Sequence, residues 1–313
     1  MSRKRLIFVS VKSLLLTGGL GQVGYHLYQE LKNTYDVTIF DNNSNPKVHP
    51  TPEMKFVNGF VENNDSYLNL GKIDIIVHCA AQISVNVSTD KPIFDATNNI
   101  IGTLNLLEYA RKYDIERFVY LSSAATYGEP VFLPVTEEHP RNPLSPYGLS
   151  KLTGERYVKM YSELYGLDTI TLIPFNIYSA LQKEYDPYSG VIFKFLNCLK
   201  NGVNIKIEGD GLQTRDFVHV NDVVKAIKLA LITPNIKGQE VNIGYGQAIS
   251  IKHLAETLLQ VTNSKLAIEY SAPRVGDIRD SYCSINKAKT VLGFVPDIDI
   301  KKGLELMCND ILQ

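Results

Sequence analysis

The chain has 313 residues, 44% of them hydrophobic, and its 32 basic and 33 acidic side chains leave a formal net charge of -1. Such a length and apolar content suffice for one large domain or two smaller ones with a substantial core, and they exclude extensive disorder. The charge balance excludes attraction to nucleic acid or anionic membrane by an overall field, no apolar run nears the roughly 20 residues of a membrane span, and any phosphate must be gripped locally.

The chain opens with Arg3, Lys4 and Arg5 before the apolar stretch Leu6 to Val11, but Lys12 interrupts it and no small-residue cleavage site follows. A targeting segment is therefore not expected. From Ser13 onward, β-branched or leucine-rich runs alternate with helical stretches, the pattern of βα units around a parallel sheet. Strands are expected at Ser13 to Thr17, Asp36 to Phe40, Met54 to Val57, Ile73 to Cys79, Phe118 to Ser122 and Thr169 to Pro174. Helices are expected at Gln22 to Lys32, Ile93 to Lys112 and Pro146 to Tyr165, where apolar residues recur near helical spacing. The expected class is α/β, a doubly wound parallel sheet. Past Pro174 the rhythm turns irregular: a loop entering a helix over Tyr185 to Asn201, a strand at Ile205 to Ile207, a helix at Asn221 to Leu231, a strand at Glu240 to Ile243, a helix at Ile251 to Val261 and a strand at Leu266 to Tyr270. Cys79, Cys198, Cys283 and Cys308 stand far apart with no CxxC pair, which reads as reduced thiols in a cytoplasmic protein without a metal site.

The sharpest local signal is Thr17-Gly18-Gly19-Leu20-Gly21-Gln22-Val23-Gly24, between an expected strand and an expected helix. Gly18, Gly21 and Gly24 allow a tight turn, close approach of backbone to a pyrophosphate and close helix packing, while Gln22 and Val23 open a helix whose N-terminus favours negative charge. The plainer alternative is a flexible loop. Seventeen positions past Gly24 stands Asp41, followed by Asn42. A carboxylate there accepts hydrogen bonds from adenosine ribose hydroxyls and repels a 2′-phosphate, which favours NAD over NADP. An Asp that merely begins a turn also fits Asp41-Asn42-Asn43-Ser44.

Tyr147 and Lys151 lie four apart, on one face of an expected helix. A neighbouring ammonium lowers a phenol from its usual value of about 10 and suits it to general base work, although such pairs are also common on surfaces. Leu121-Ser122-Ser123-Ala124-Ala125-Thr126-Tyr127-Gly128 follows a strand at the end where open α/β sheets bind ligands.

Gly18, Gly21, Gly24, Asp41, His78-Cys79-Ala80-Ala81, Asn99, the Ser-Ser-x-x-x-Tyr-Gly stretch and the YxxxK pair, in this order over nearly the whole chain, resemble the extended short-chain dehydrogenase/reductase family. The resemblance implies that Ser123 is the catalytic hydroxyl, that Tyr147 is the acid/base and that Lys151 lowers the tyrosine pKa and binds the nicotinamide ribose. Ala80 and Asn99 would lie beside the cofactor, NAD. It also implies a cofactor-binding Rossmann domain over residues 1–175, with returning segments near 217–247, and a substrate-binding region over 176–216 and 248–313.

The segment Gln213-Thr214-Arg215-Asp216-Phe217 and the segment Arg274-Val275-Gly276-Asp277 are similar to the nucleotide-sugar branch of the family. By that likeness Arg215, Arg274 and Asn176 hold the substrate diphosphate, a task suited to the guanidinium fork, and Asp277 meets the nucleotide ribose. Surface ion pairing is the alternative for either arginine. Ala124 and Ala125 replace acidic residues that serve elimination in similar dehydratases, which leaves NAD-dependent 4-epimerisation through a keto sugar. Small Ser281, at a position that is bulky in similar epimerases restricted to plain hexoses, implies acceptance of UDP-N-acetylglucosamine beside UDP-glucose. Phe60, Ile173 and Ser179-Ala180 depart from the family pattern. A homodimer is implied by resemblance, and two other readings remain open: a one-way nucleotide-sugar reductase or dehydrogenase, and a non-catalytic cofactor sensor.

Overall fold

The computed structural model describes residues 11–67, 70–181, 190–273 and 278–312. Its first half runs β1 (Ser13–Thr17), α1 (Gln22–Leu31), β2 (Asp36–Asp41), β3 (Lys55–Asn58), β4 (Ile75–His78), α2 (Val85–Asp90), α3 (Pro92–Ala96), α4 (Gly102–Lys112), β5 (Arg117–Leu121), α5 (Pro146–Tyr165) and β6 (Thr169–Pro174). There follow β7 (Asn176–Tyr178), α6 (Val191–Lys200), β8 (Ile205–Glu208), β9 (Thr214–Arg215), β10 (Phe217–His219), α7 (Val220–Ile232), β11 (Gln239–Ile243), β12 (Ile249–Ser250), α8 (Ile251–Val261), β13 (Ile268–Ser271), β14 (Asp280–Ser281), α9 (Asn286–Leu292) and α10 (Ile300–Leu312).

Seven parallel strands form the central sheet in the order β11-β6-β5-β4-β1-β2-β3. Each face is covered by helices, which is why its strands read as continuous apolar runs rather than alternating ones. Along β1, Leu14 and Leu16 join a core under α1, α7 and α9 that includes Leu27, Ile227 and Leu292. Leu15 points the other way, with Phe118 and Tyr120, to meet Leu106, Leu107 and Val158 of α4 and α5. A separate core packs α6, α8 and α10 around β8 through Phe195, Leu254, Ile207 and Leu304.

The six expected strands of the sheet are all present, Ser13–Thr17 and Thr169–Pro174 with the expected bounds and the other four displaced at their ends by one or two residues, and the expected strand at Glu240 to Ile243 returns as the seventh. The single helix expected over Ile93 to Lys112 is instead α3 and α4 joined by a π turn at Thr97–Ile101, with Pro92 in the first turn of α3. One wider turn shifts the helical phase and brings Asn98 and Asn99 inward, a feature that apolar periodicity cannot signal. Of the stretch Tyr185 to Asn201, residues 185–189 lie outside the described residues, and α6 accounts for the helix. The segment before Val11 also lies outside them.

Helix α5 is bounded by local chemistry: Ser145 accepts a hydrogen bond from Gly148 N, Pro146 occupies the first turn, and Gly166 closes the helix in the left-handed region. It seats against β5 by way of Gly154, where an added Cβ would fall 2.8 Å from Cζ of the fully buried Tyr120. Gly154→Ala gains up to about 1 kcal/mol of helix propensity but overpacks this contact by about 1–3 kcal/mol. We expect a net loss, read as a lower urea midpoint with unchanged slope. A raised midpoint would show that the helix and strand separate without cost.

Candidate active site

The C-terminal ends of β1, β4 and β5 meet at one crevice, because strand order reverses about β1. At the end of β1, Gly18 adopts φ +68°, and a Cβ there would lie 2.7 Å from Ala80 N. A Cβ on Gly24 would collide with the Gly18 carbonyl, so the start of α1 presses directly on the turn. Gly21 caps α1 with no side chain over its first amides. Gln22 Nε2 is buried and has no hydrogen-bond partner among the described residues. A glycine cradle, an uncapped helix N-terminus and an unanswered amide fit a dinucleotide pyrophosphate.

Asp41, at the end of β2, accepts hydrogen bonds from Leu20 N at 3.1 Å and from Asn43 N at 2.8 Å. It therefore begins a turn and also braces the glycine loop. Burial raises its carboxyl above the usual value, and those two backbone bonds oppose the rise. Asn42 turns its amide oxygen to Ser44 N at 3.0 Å. Val23 is partly buried against the core below.

Behind Ala80 runs a buried relay. Ala80 N donates to Thr17 Oγ1, which lies 2.8 Å from His78 Nδ1, and His78 Nε2 lies 3.1 Å from Thr103 Oγ1. Thr103 itself donates to the Asn99 carbonyl, so it accepts from His78, and the network assigns the proton to Nε2. Burial, with Lys151 adding, holds His78 down to about 3 and hence neutral. Asn99 Nδ2 lies within bonding distance of the Gln82 carbonyl, Asp95 Oδ1 and Ser150 Oγ, and its oxygen accepts from Gln82 N at 2.8 Å. The π turn is thereby tied to α5.

Ser123 follows β5, and Tyr147 and Lys151 rise from the first turns of α5. The Lys151 ammonium is buried, donates to the Leu121 carbonyl at 2.6 Å and lies 4.4 Å from the Tyr120 ring centre. Burial pulls it down to about 8. Burial raises the Tyr147 phenol, the Ser123 hydrogen bond opposes that rise, and the Lys151 ammonium is turned onto strand β5. The phenol and the serine hydroxyl are thus the interacting pair.

A cavity of about 570 Å³ opens beside β7, lined among others by Asn176, Arg215, Gln213, Lys194 and Lys206. Its volume is in the range of small-molecule sites. Asn176 donates from both its backbone and side-chain nitrogens to the Asp216 carbonyl, each at 3.0 Å. Ser281, on β14, is in parallel register with Arg215. The neighbouring Asp216 carboxylate is fully buried and accepts from Tyr245 N, Gly246 N and Cys283 N, which anchors this wall. Arg274 and Asp277 lie outside the described residues. Among those described, no group of His, Cys, Asp or Glu side chains could hold a metal ion, and no helix is long and apolar enough to cross a membrane.

Glu155, Arg141, Asp95 and Gln82 were missed in the sequence. Only Glu155 left a signal there, standing four positions beyond Lys151 on the same face of α5.

The model of the NAD dependent epimerase/dehydratase family matches residues 14–244. A putative UDP-glucose 4-epimerase of Methanocaldococcus jannaschii is 42% identical over 303 residues, covering 95% of this chain and 97% of that one. The UDP-glucose 4-epimerase of Thermotoga maritima, solved with UDP-glucose, superposes with a TM-score of 0.90 at 34% identity, covering 95% of this chain and 98% of its own. The UDP-N-acetylglucosamine 4-epimerase of Methanobrevibacter ruminantium, in complex with UDP-N-acetylmuramic acid, gives 0.89 at 31% identity, with 96% and 99% covered.

The buried lysine sets a pH signature. Because its pKa in the fold lies below the ordinary 10.5, the unfolded chain binds the extra proton between about pH 8 and 10.5, and this group's contribution to stability rises across that window. We expect the ligand-free wild type to gain on the order of 3 kcal/mol relative to Lys151→Met as pH rises through it, measured by denaturant unfolding. A constant difference between the two proteins would place the ammonium in water.

Proposed function

The chain belongs to the NAD dependent epimerase/dehydratase family, and we propose that it interconverts the C4 epimers of a UDP-linked hexose, with NAD as its bound cofactor. The observation that carries the reading is the hydrogen bond between Ser123 and Tyr147, one helical turn from the buried Lys151, whose ammonium interacts with Cys79 at the strand end on which Gly18 packs. When bound, NAD supplies a two-electron acceptor that takes up a hydride and returns it. Gly18, Gly21, Gln22, Val23 and Gly24 hold its pyrophosphate, Asp41 and Asn42 its adenosine ribose, and Ala80, Asn99, Tyr147 and Lys151 its nicotinamide end.

Tyr147 removes the proton from the sugar hydroxyl, and the Ser123 hydroxyl, bonded to the phenol, bridges to the same oxygen. Lys151 is a cation at neutral pH, since its pKa is about 8, and favours the transient phenolate by its charge. Arg215 and Asn176, together with Arg274 and Asp277, grip the nucleoside diphosphate away from the reacting carbon, so the keto sugar can turn over while it stays bound. Tyr147 then returns its proton to the same oxygen of the turned sugar, whose C4 now presents its other face. Residues 1–175, with 217–247, serve the cofactor, and 176–216 with 248–313 serve the substrate. Neutral Ala124 and Ala125 beside Ser123 offer no acid for elimination, and small Ser281 leaves room for an N-acetyl group.

The protein is proposed to work as a cytoplasmic homodimer. Ile93, Phe94 and Ile101 before α4, and Leu149, Met160 and Leu164 along α5, are large apolar residues left exposed on neighbouring helices. Sedimentation should give twice the chain mass, and Leu164→Glu should give a monomer. A wild-type monomer at micromolar concentration would contradict this.

Incubated with UDP-glucose, UDP-N-acetylglucosamine and dTDP- and GDP-sugars, the enzyme should equilibrate the first two with their 4-epimers, seen by NMR, without net change at the nicotinamide band. Tyr147→Phe should lower turnover by roughly 10²- to 10⁴-fold. Stoichiometric change in the band would instead establish a one-way reductase or dehydrogenase, and a fully active Tyr147→Phe would remove the phenol from the mechanism.

A further inference from the structure

Tyr147, Lys151 and Glu155 are spaced by four on α5 and so share one face. Glu155 has no exposed surface, and the reaction described above gives it no task. Ser122 Oγ donates to Glu155 Oε1 at 2.5 Å, while Lys151 Nζ donates to the Leu121 carbonyl at 2.6 Å. Two consecutive residues of the strand end are thus tied to two successive turns of the catalytic helix, and the next residue is Ser123. The strand end is held in the sheet by Ser122 N, which donates to the Leu172 carbonyl of β6 at 2.8 Å, and the side-chain bond to Glu155 gives the helix a second point of attachment to it beside the lysine bond.

The carboxylate is in turn held by Arg141, whose Nη1 lies 3.2 Å from Glu155 Oε2. The same nitrogen donates to Thr126 Oγ1 at 2.7 Å, in the short turn that Ser123 begins, and the guanidinium lies 4.0 Å from the Tyr127 ring centre. Its other amino group faces Glu240 of β11 at 3.4 Å. Segments on both sides of Ser123 are therefore referred to one buried carboxylate. A buried ion pair adds little to stability over well-packed apolar side chains, so its use here lies in geometry.

We propose that Glu155 is a positioning residue, which through Ser122 and Arg141 holds the Ser123 hydroxyl in register with the Tyr147 phenol. This rests on the epimerase reading for its kinetic consequence but not for its geometric one. The substrate anchors Asn176 and Arg215 and the glycine turn that holds the pyrophosphate lie on other elements, and Lys151 keeps its own bond to the Leu121 carbonyl, so nucleotide and cofactor affinity do not depend on Glu155.

The test uses NAD-loaded enzyme with Ser122→Ala, which deletes one oxygen, Glu155→Gln, and the double variant. Each single variant should lower kcat by about tenfold or more, while KM for UDP-glucose, affinity for UDP and affinity for NAD stay within about twofold. The double variant should be no slower than the slower single one, since both cut the same link. A Ser122→Ala enzyme with kcat within about twofold of wild type would overturn the proposal, as would losses that multiply. Loss of UDP and NAD binding in step with kcat would likewise overturn it by marking a general structural role. A second reading needs no turnover: the ¹³Cζ resonance of Tyr147, assigned with Tyr147→Phe, reports its hydrogen bond to Ser123. Displacement of that resonance in Ser122→Ala supports the register role, and an unmoved resonance overturns it. Wild-type enzyme that binds NAD and UDP yet turns over no sugar would fault the epimerase reading, and the resonance would then decide the positioning role on its own.

Discussion

The arrangement depends on the junction between the end of β5 and the first turns of α5. A lysine ammonium is taken out of water there and given to a strand carbonyl, and a serine hydroxyl one residue on is given to a buried glutamate. Neither bond survives a slip of the helix by a turn, so the Tyr147 phenol and the Ser123 hydroxyl meet in one geometry. The rest of the fold serves that junction. The sheet order sets β5 beside β4 and one strand from β1, and the missing side chain of Gly154 lets α5 lie close.

Charge is handled locally throughout, as a near-zero net charge requires. The imidazole of His78 is kept neutral by burial and given a hydrogen-bond partner at each nitrogen, so it carries order rather than charge from β1 to the π turn. The Asp216 carboxylate is answered by three backbone amides, and Glu155 is answered by a guanidinium. The Asp216 carboxylate, satisfied in this way, fixes a wall of the crevice, because leaving it unanswered costs more than the freedom it gives up.

Much of the fold could be read from the chain because a parallel sheet buried on both faces writes its strands as apolar runs. Leu14-Leu15-Leu16 and Ile75-Ile76-Val77 need no partner to be recognised. The two- and three-residue strands β7, β9, β10, β12 and β14 are too short for any period, and they exist only because distant segments pair with them. The π turn escaped notice for the opposite reason: its one wider turn hides inside a convincing helical rhythm. In the site, the glycine turn and the Tyr147 and Lys151 pair were legible because their chemistry demands fixed spacing. Glu155 was not, since a glutamate four places after a lysine reads as a solvated pair, and the arginine that justifies its burial stands on another segment. The direction of the Tyr147 shift also had to wait for burial to be known.

In the proposed reaction Ser123 and Tyr147 act on an oxygen-bound proton, and nothing in their placement asks the sugar carbon to exchange its hydrogen with water. The most direct measurement is therefore turnover of UDP-glucose carrying deuterium at C4 in ordinary water, with the product examined by NMR. The label should remain at C4 with inverted configuration. Replacement of the deuterium by solvent hydrogen would contradict the proposed reaction, because the carbon would then have lost a proton and the phenol would be serving a different reaction.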